Sequence, residues 1–368
     1  MSPPKIALCL PGGGAMGALY QVGALAAIED AVEGFDANSF DLYVGNSVGA
    51  SLSATLAAGL PVQRLYRAFL DPADVYFGIE RKHLLRIDLG EWRRTLMSAL
   101  SALGHAAGSA LSREAKAVPA TLWQELDRLY DSLPAGWFTL EGYERFLEEF
   151  FERRGVPKTF AAMPKPLRVL SHDLDTGAPV CFGVEGYEGV PLARACIASM
   201  AVPPFFSPVK IGDRHYINPG AGSLSPMEVA VREGATAIVV VNSMTPISAA
   251  SVPTGHGHRD SLRDKGNMWV LNQAVRIGSQ RMVDDTCQRL KAEHPTLSLL
   301  RIEPEPEDGV LFLYNASSFD ARRRLLERAY TSTRKELGRR FAEADPTLLR
   351  AGFRPKTTTS RPSSPPPS

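Results

Sequence analysis

The sequence has few cysteines and no two of them close together. Cys9, Cys181, Cys196 and Cys287 are spread over 368 residues without a C-x-x-C pair, which excludes a disulfide framework and a structural zinc site and leaves buried free thiols as the simpler reading. There is also no charge excess. Forty-one Lys and Arg balance 40 Asp and Glu for a net charge of +1, so the chain as a whole lacks the basic surplus of a nucleic-acid binder. No long hydrophobic run is present. The uncharged stretch at residues 95–112 includes several serines, two glycines and His105, and falls short of the ~20 mainly apolar residues of a membrane span. Lys5 is followed by only five apolar residues before the glycines begin, too few for a signal-peptide core. The cytoplasm is the expected location, with peripheral contact at a membrane surface as a second reading. No internal repeat is visible.

What is present suits a globular enzyme. Apolar residues make up 44% of the chain and charged ones 22%, enough to bury the core of one large or two moderate domains. The first 60 residues read as two strand–turn–helix units. A buried strand at 6–10 leads through a glycine loop at 11–17 into a helix at 19–32. A second strand at 41–44 leads through Gly45-Asn46-Ser47-Val48-Gly49 into a small-residue helix ending near Ala58. Such alternation predicts an α/β fold with a mainly parallel sheet flanked by helices. Residues 62–160 change character to helical patterns and read as a cap inserted over the sheet, with Leu96, Leu100, Leu103 and Leu111 along one helical face. That stripe reads as a packed helix or, as a second reading, a mobile interfacial one. Strands resume at 167–170, 237–241 and 297–302, with helical patterns at 261–289 and 319–341. The last helical stretch carries eight Arg and Lys against three Asp and Glu, a solvated face or a docking face for anionic headgroups. The expected organisation is a single domain over 1–353 and a disordered tail over 354–368, where 15 residues include five Pro and four Ser.

Two motifs carry chemistry. A serine forced into a tight strand-to-helix turn, with Gly45, Asn46, Val48 and Gly49 around it, exposes its hydroxyl above the sheet. The following helix aims its N-terminal N–H groups at developing negative charge. A purely structural turn is the competing reading. The loop Gly12-Gly13-Gly14-Ala15-Met16-Gly17 fits three templates by glycine count. A dinucleotide site needs an acidic residue closing the next strand, where Gly45 and the serine turn stand instead. A phosphate loop needs Gly-Lys-Ser/Thr, and Ala18 and Leu19 are there. An oxyanion hole needs only main-chain N–H groups beside a nucleophile, and this reading is favoured. An α/β-hydrolase triad is disfavoured because Ser47 comes too early in the strand order. His256 and His258 lack a carboxylate or thiol spaced to complete a metal site.

With Pro11 to Gly17, Gly45 to Ala50, Ser171-His172-Asp173-Leu174-Asp175-Thr176-Gly177, and residues 198–208 followed by a hairpin into Asn218-Pro219-Gly220, the sequence resembles the patatin-like phospholipase family over roughly residues 5–245. The resemblance implies a three-layer α/β fold and a serine acyl hydrolase that cleaves lipid esters through a Ser–Asp dyad, with no cofactor and no metal. It implies Ser47 as nucleophile and Gly12, Gly13, Gly14 and Ala15 as the oxyanion hole. The substrate class is a lipid or acyl ester, nucleic acid is excluded, and the oligomeric state is left open. Two positions depart from the family: Met16 replaces a basic residue, and Asn218-Pro219 replaces the Asp-Gly of the dyad. A neutral amide cannot accept the serine proton, so weak activity is expected, with a non-catalytic lipid- or acyl-binding relative as the alternative. Deamidation is no remedy, because its cyclic route uses the next N–H and Pro219 has none. Asp173, His172 and Asp175 are the candidates for a relocated base. Asp213 is expected at a hairpin tip, and His215 on the opposite strand face from Asn218.

Overall fold

The computed structural model describes residues 4–78, 83, 86–97, 100–101, 133–220, 225–248, 261–305, 308, 312, 318–343 and 345–356. Two short apolar runs, Ile6–Leu10 (β1) and Ala237–Val241 (β9), form adjacent parallel strands at the centre of the sheet. Continuous apolar sequence suits that place, since both faces of a central parallel strand are covered. Around them lie Leu42–Asn46 (β2), Leu167–Asp173 (β5), Pro179–Phe182 (β6), Val209–Ile211 (β7), Arg214–Ile217 (β8) and Ser298–Ile302 (β10). The sheet runs β10-β9-β1-β2-β5-β8-β7, with β6 paired to β5 off that path. The pairs among β10, β9, β1, β2 and β5 are parallel, whereas β6, β7 and β8 run antiparallel to their neighbours.

Alternation along the strands divides the core in two. Leu8, Leu10, Val169, Val239 and Val241 point into the larger cluster, shared with Gly14–Ala31 (α1), Val48–Ala57 (α2), Val62–Leu70 (α3), Glu141–Arg154 (α4), Leu192–Met200 (α5) and Phe319–Ala342 (α8). Ala7, Cys9, Val44, Leu170 and Val240 point to the other face, covered by Pro226–Arg232 (α6) and Asn267–Glu293 (α7). The result is the three-layer α/β arrangement, with helices on both faces of a mostly parallel sheet.

Within residues 62–160, the described part includes α3, α4, a helical run at 89–97 and a two-stranded pair, Arg86–Ile87 (β3) with Phe138–Thr139 (β4). In α4, Tyr143, Phe146, Leu147, Phe150 and Phe151 are buried at helical spacing, and Gly155, at φ 69°, closes the helix. Leu96 and Leu100 of the leucine stripe are exposed, while Leu103 and Leu111 lie outside the described residues. The helical stretch expected from 261 is broken by Gly266 at φ 93° and becomes a 3-10 turn, Leu262–Lys265, followed by α7. A last short helix, Pro346–Arg350 (α9), precedes the tail. Arg354 and Lys356, expected to start that tail, pair their main chain with Glu33 and Ala31 at the end of α1. Residues 357–368 lie outside the described residues.

The strand pairings decide where chemistry can occur. Asn46 pairs with Leu170 of β5, and Ile217 of β8 pairs with His172. Since β6 occupies the opposite edge of β5 along Val169 to His172, β2 and β8 share one edge and approach each other end to end. Ser47 and Asn218, the residues after these two strands, therefore arrive at the same place beside Ser171.

The closest helix packing is that of α1 against α8. A Cβ on Gly23 would lie 2.6 Å from the Leu326 carbonyl oxygen and 2.9 Å from Ala329 Cβ. Gly23→Ala gains about 1 kcal/mol of helix propensity, but it must push apart two backbones, and such overpacking costs about 1–3 kcal/mol. The expected outcome is a lower urea midpoint for the variant; an equal or higher midpoint would show that the α1–α8 contact is looser than described.

Candidate active site

Ser47 has φ 55° and ψ −132°, and it is the only non-glycine residue with positive φ among the described residues. Holding an L-residue there costs about 1–3 kcal/mol and persists only where the surroundings enforce it. They do so through close backbone contact. A Cβ on Gly45 would lie 2.4 Å from the Gly49 carbonyl oxygen, and one on Gly49 would lie 2.1 Å from the Leu10 carbonyl oxygen. The two glycines of the motif thus let the first turn of α2 sit directly on the ends of β2 and β1. Ser47 itself is 8% exposed. Its N–H donates to Ser199 Oγ at 2.7 Å, and its carbonyl accepts from Ala50 N–H at 3.0 Å.

The glycine loop lies against this turn. A Cβ on Gly12 would be 2.8 Å from Ser47 Cβ and 3.4 Å from Ser47 Oγ, so the loop main chain is in contact with the serine. Gly14 is left-handed at φ 63° and begins α1, five residues earlier than the helical pattern suggests. Among the described residues, the N–H groups of Gly13, Gly14, Ala15 and Met16 have no acceptor, as expected for a helix start. The N-termini of α1 and α2 therefore meet around Ser47, and both favour negative charge. Behind the loop, Ser243 Oγ donates to the Gly12 carbonyl at 3.3 Å and fills the space that a Cβ on Gly13 or Gly17 would need. Buried Gln21 donates from Nε2 to the carbonyls of Pro11 and Val241, tying the loop to the end of β9.

Asn218 is held by three hydrogen bonds. Its Nδ2 donates to the Ser199 carbonyl at 2.6 Å, its Oδ1 accepts from Gly220 N–H at 2.8 Å, and its own N–H donates to the Ala201 carbonyl at 2.9 Å. These two side-chain bonds need an amide in this orientation, since a carbonyl partner requires a donor and an N–H partner an acceptor. Ser199 on α5 thus touches both Ser47 and Asn218: its hydroxyl accepts from Ser47 N–H and donates to the Leu170 carbonyl at 2.5 Å, while its carbonyl receives the Asn218 side-chain amide.

The candidate replacement bases lie along β5 and the turn after it. Buried Asp173 accepts from Arg214 Nη1 at 2.6 Å and from the N–H groups of Asp175 and Thr176 at 3.0 Å each. The Arg214 guanidinium holds its carboxyl well below the usual range, at about 2. Asp173 thus braces the hairpin and has no hydrogen bond to Ser47 or Ser199. Asp175 is exposed and 4.0 Å from His215 Nδ1. His172 is half-buried and alternates to the opposite face of β5 from Ser171, whose hydroxyl donates to the Ile217 carbonyl at 2.8 Å. Gly212 and Asp213 form the turn between β7 and β8, as expected, with Gly212 at φ 61°. The Ser171-His172-Asp173 motif therefore clamps the strand that delivers Asn218.

Among the described residues no group of three His, Cys, Asp or Glu could hold a metal ion, and His256 and His258 lie outside them. All four cysteines are free, and burial pushes the Cys196 thiol up to about 12. Two concavities, of about 260 Å³ beside Tyr76 and Phe150 and about 160 Å³ beside Phe35 and Phe353, lie away from Ser47. Among the described residues, no helix is long and apolar enough to cross a membrane. Ser199, Ser243, Gln21 and Arg276, whose guanidinium holds the main chain at Ser243 and Thr245, were not expected. The only available sign for Ser199 was its place within the 198–208 motif, and the other three carry none.

The model of the patatin-like phospholipase family matches residues 8–231. No curated protein matches the sequence. Among solved structures, VipD from Legionella pneumophila is similar at 14% identity and TM-score 0.38, covering 92% of this chain and 67% of its own. ExoU of Pseudomonas aeruginosa, in its complex with SpcU, is similar at 16% identity and TM-score 0.38, with 92% of this chain and 53% of that chain covered. A second ExoU structure gives 18% identity and TM-score 0.35. The chain thus spans about two thirds of VipD and about half of ExoU.

The Asp173–Arg214 pair makes a pH-dependent contribution to stability. A carboxyl lowered from about 4 in the unfolded chain to about 2 contributes fully above the first value and loses its contribution as pH falls through the second. In urea titrations the parent is expected to lose more stability than Asp173→Asn over that interval; parallel losses would show that the pair does not form.

Proposed function

The chain belongs to the patatin-like phospholipase family, and on that premise we propose that it is a lipid acyl ester hydrolase with Ser47 as its nucleophile. Members of this family are lipid acyl hydrolases. The observation that carries the proposal is the strained backbone of Ser47 in contact with Gly12, where two helices begin. Strain of this kind, enforced by glycine contacts at the ends of two strands, has an evident use in presenting an attacking hydroxyl. Ser47 Oγ attacks the ester carbonyl, and the N–H groups of the loop, Gly12 to Ala15, receive the charge that forms on the carbonyl oxygen. A preorganised donor of this type contributes about 3 kcal/mol. The alcohol departs with a proton, and water releases the acyl group from Ser47. Because the substrate is an amphiphile, the proposal includes contact with a lipid surface, which the exposed Trp92, Leu96, Met97 and Leu100 support.

Acylation is the slow step. Asn218 Oδ1 already accepts from Gly220, and an amide is too weak a base to take the serine proton. The missing base lowers the rate by a factor on the order of 10²–10⁴. The satisfied amide of Asn218 also supports a second reading, a protein that binds lipid or acyl groups without turnover.

A fluorophosphonate probe separates the two readings. The parent is expected to be labelled and to release nitrophenol from a short-chain ester, with both signals absent in Ser47→Ala. A parent that is not labelled would leave only the binding reading. A further prediction concerns the base. In Asn218→Asp with Pro219→Gly, the new carboxylate cannot donate to the Ser199 carbonyl and turns one oxygen away from it. The ester rate at neutral pH is expected to rise by about 10²-fold, the low end for a general base. The rate should then fall as acid protonates that carboxyl, a limb the parent lacks. An unchanged rate and pH profile would show that position 218 is out of reach of Ser47.

A further inference from the structure

Arg276, on α7, is the only buried Lys or Arg among the described residues, at 2% exposure. Its partners are all neutral. Nη1 donates to the carbonyls of Ser243 and Thr245 at 3.0 Å each, Nε donates to Asn272 Oδ1 at 2.9 Å, and the guanidinium lies 4.6 Å from the centre of the Phe312 ring. None of these is a carboxylate. Burial alone pushes its pKa down, to about 10, so the group stays charged at neutral pH. A buried charge without an opposite partner is costly, and carbonyl dipoles and a ring face offset only part of that cost. The place where this charge is held is informative. Ser243, whose carbonyl it grips, donates through its hydroxyl to Gly12, and Gly12 touches Ser47. The loop at 11–17 has no charged side chain of its own.

We propose that Arg276 is a positioning residue for the ester reaction: it fixes the Ser243–Thr245 main chain, thereby sets Gly12 against Ser47, and adds an uncompensated positive charge behind the loop that receives the oxyanion. The catalytic part of this inference rests on the reading of Ser47 as nucleophile; the mechanical part does not.

The test compares the full-length parent with Arg276→Met, Arg276→Lys and Arg281→Met, an exposed position on the same helix. Two readouts are taken: amide hydrogen exchange over residues 11–17, and the rate of fluorophosphonate labelling together with kcat and KM for a nitrophenyl ester. Folded Arg276→Met is expected to exchange faster over 11–17 and to be labelled roughly tenfold more slowly, less than the 10²–10³-fold cost of a lost oxyanion donor because Arg276 acts through Ser243. The loss falls in kcat with KM nearly unchanged. Arg276→Lys restores part of the labelling rate, and Arg281→Met matches the parent. Exchange or labelling in folded Arg276→Met that matches the parent overturns the proposal. If Arg276→Met does not fold, Ser243→Ala cuts the same link with the arginine intact; slower labelling supports the proposal and unchanged labelling overturns it. A parent that is not labelled at all removes the Ser47 reading instead. Exchange then decides this one, faster exchange in Arg276→Met supporting it and unchanged exchange overturning it.

Discussion

The site depends on the hydrogen bond between the Ser47 N–H and the Ser199 hydroxyl. β2 and β8 meet end to end on one edge of β5, so neither strand can continue the ladder past the other, and the residues that follow each must find other partners. Ser199 supplies them. Its hydroxyl takes the Ser47 N–H and passes its own proton to the Leu170 carbonyl, while its main-chain carbonyl takes the Asn218 side chain. A residue without a hydroxyl here would leave a buried N–H and a strand carbonyl unpaired at once, at a cost of about 1–3 kcal/mol for each. The unusual backbone of Ser47 is thus stabilised from below by glycine contacts and from the side by one serine on α5.

The parts of this arrangement that were legible in sequence are the locally encoded ones. β1 and β9 are short apolar runs bounded by turn residues and match their expected limits. The Gly212-Asp213 turn and the G-x-S-x-G corner are written in consecutive residues, as is α4 with its charged outer face. The start of α1 was less legible, because glycine and alanine at 14–17 read as loop by propensity. Packing overrides that preference, since Gly17 lies against Ser243 and Gly23 against α8. α5 is apolar on nearly all sides, with Leu192, Ala195, Cys196, Ile197, Ala198 and Ser199 all buried, and so lacks the polar face that marks an amphipathic helix. Gln21, Ser243 and Arg276 lay beyond reach for a different reason. The bond from Ser243 to Gly12 spans 231 positions and exists only because β9 pairs with β1. Nothing local in the sequence distinguishes that serine or that arginine from surface ones.

The segment Asn218-Pro219-Gly220 is a self-consistent unit. Pro219 offers no N–H, so the Asn218 side-chain oxygen Oδ1 accepts instead from the N–H of Gly220, which adopts φ 55°. The amide nitrogen is then directed at Ser199. An aspartate could keep the first of these bonds and would lose the second. Each residue of the triplet thus supports the conformation of the others.

A neutral amide at position 218 leaves this corner without an anion. Among the described residues, no carboxylate is hydrogen-bonded to Ser47, Ser199, Asn218 or Gly12, and Asp173 is neutralised by Arg214. What remains is positive: the free N–H groups at the starts of α1 and α2, and Arg276 behind the loop. Such a corner favours the charge of a tetrahedral intermediate once it forms, yet offers nothing to remove the proton that must leave first. On the proposed reading of Ser47, the two halves of acyl transfer are therefore decoupled, with the oxyanion supported by a field that no neighbouring anion reduces and the hydroxyl left to its intrinsic acidity. A field of that sign also attracts ligands that are anionic from the outset, because these need no proton removed to profit from it.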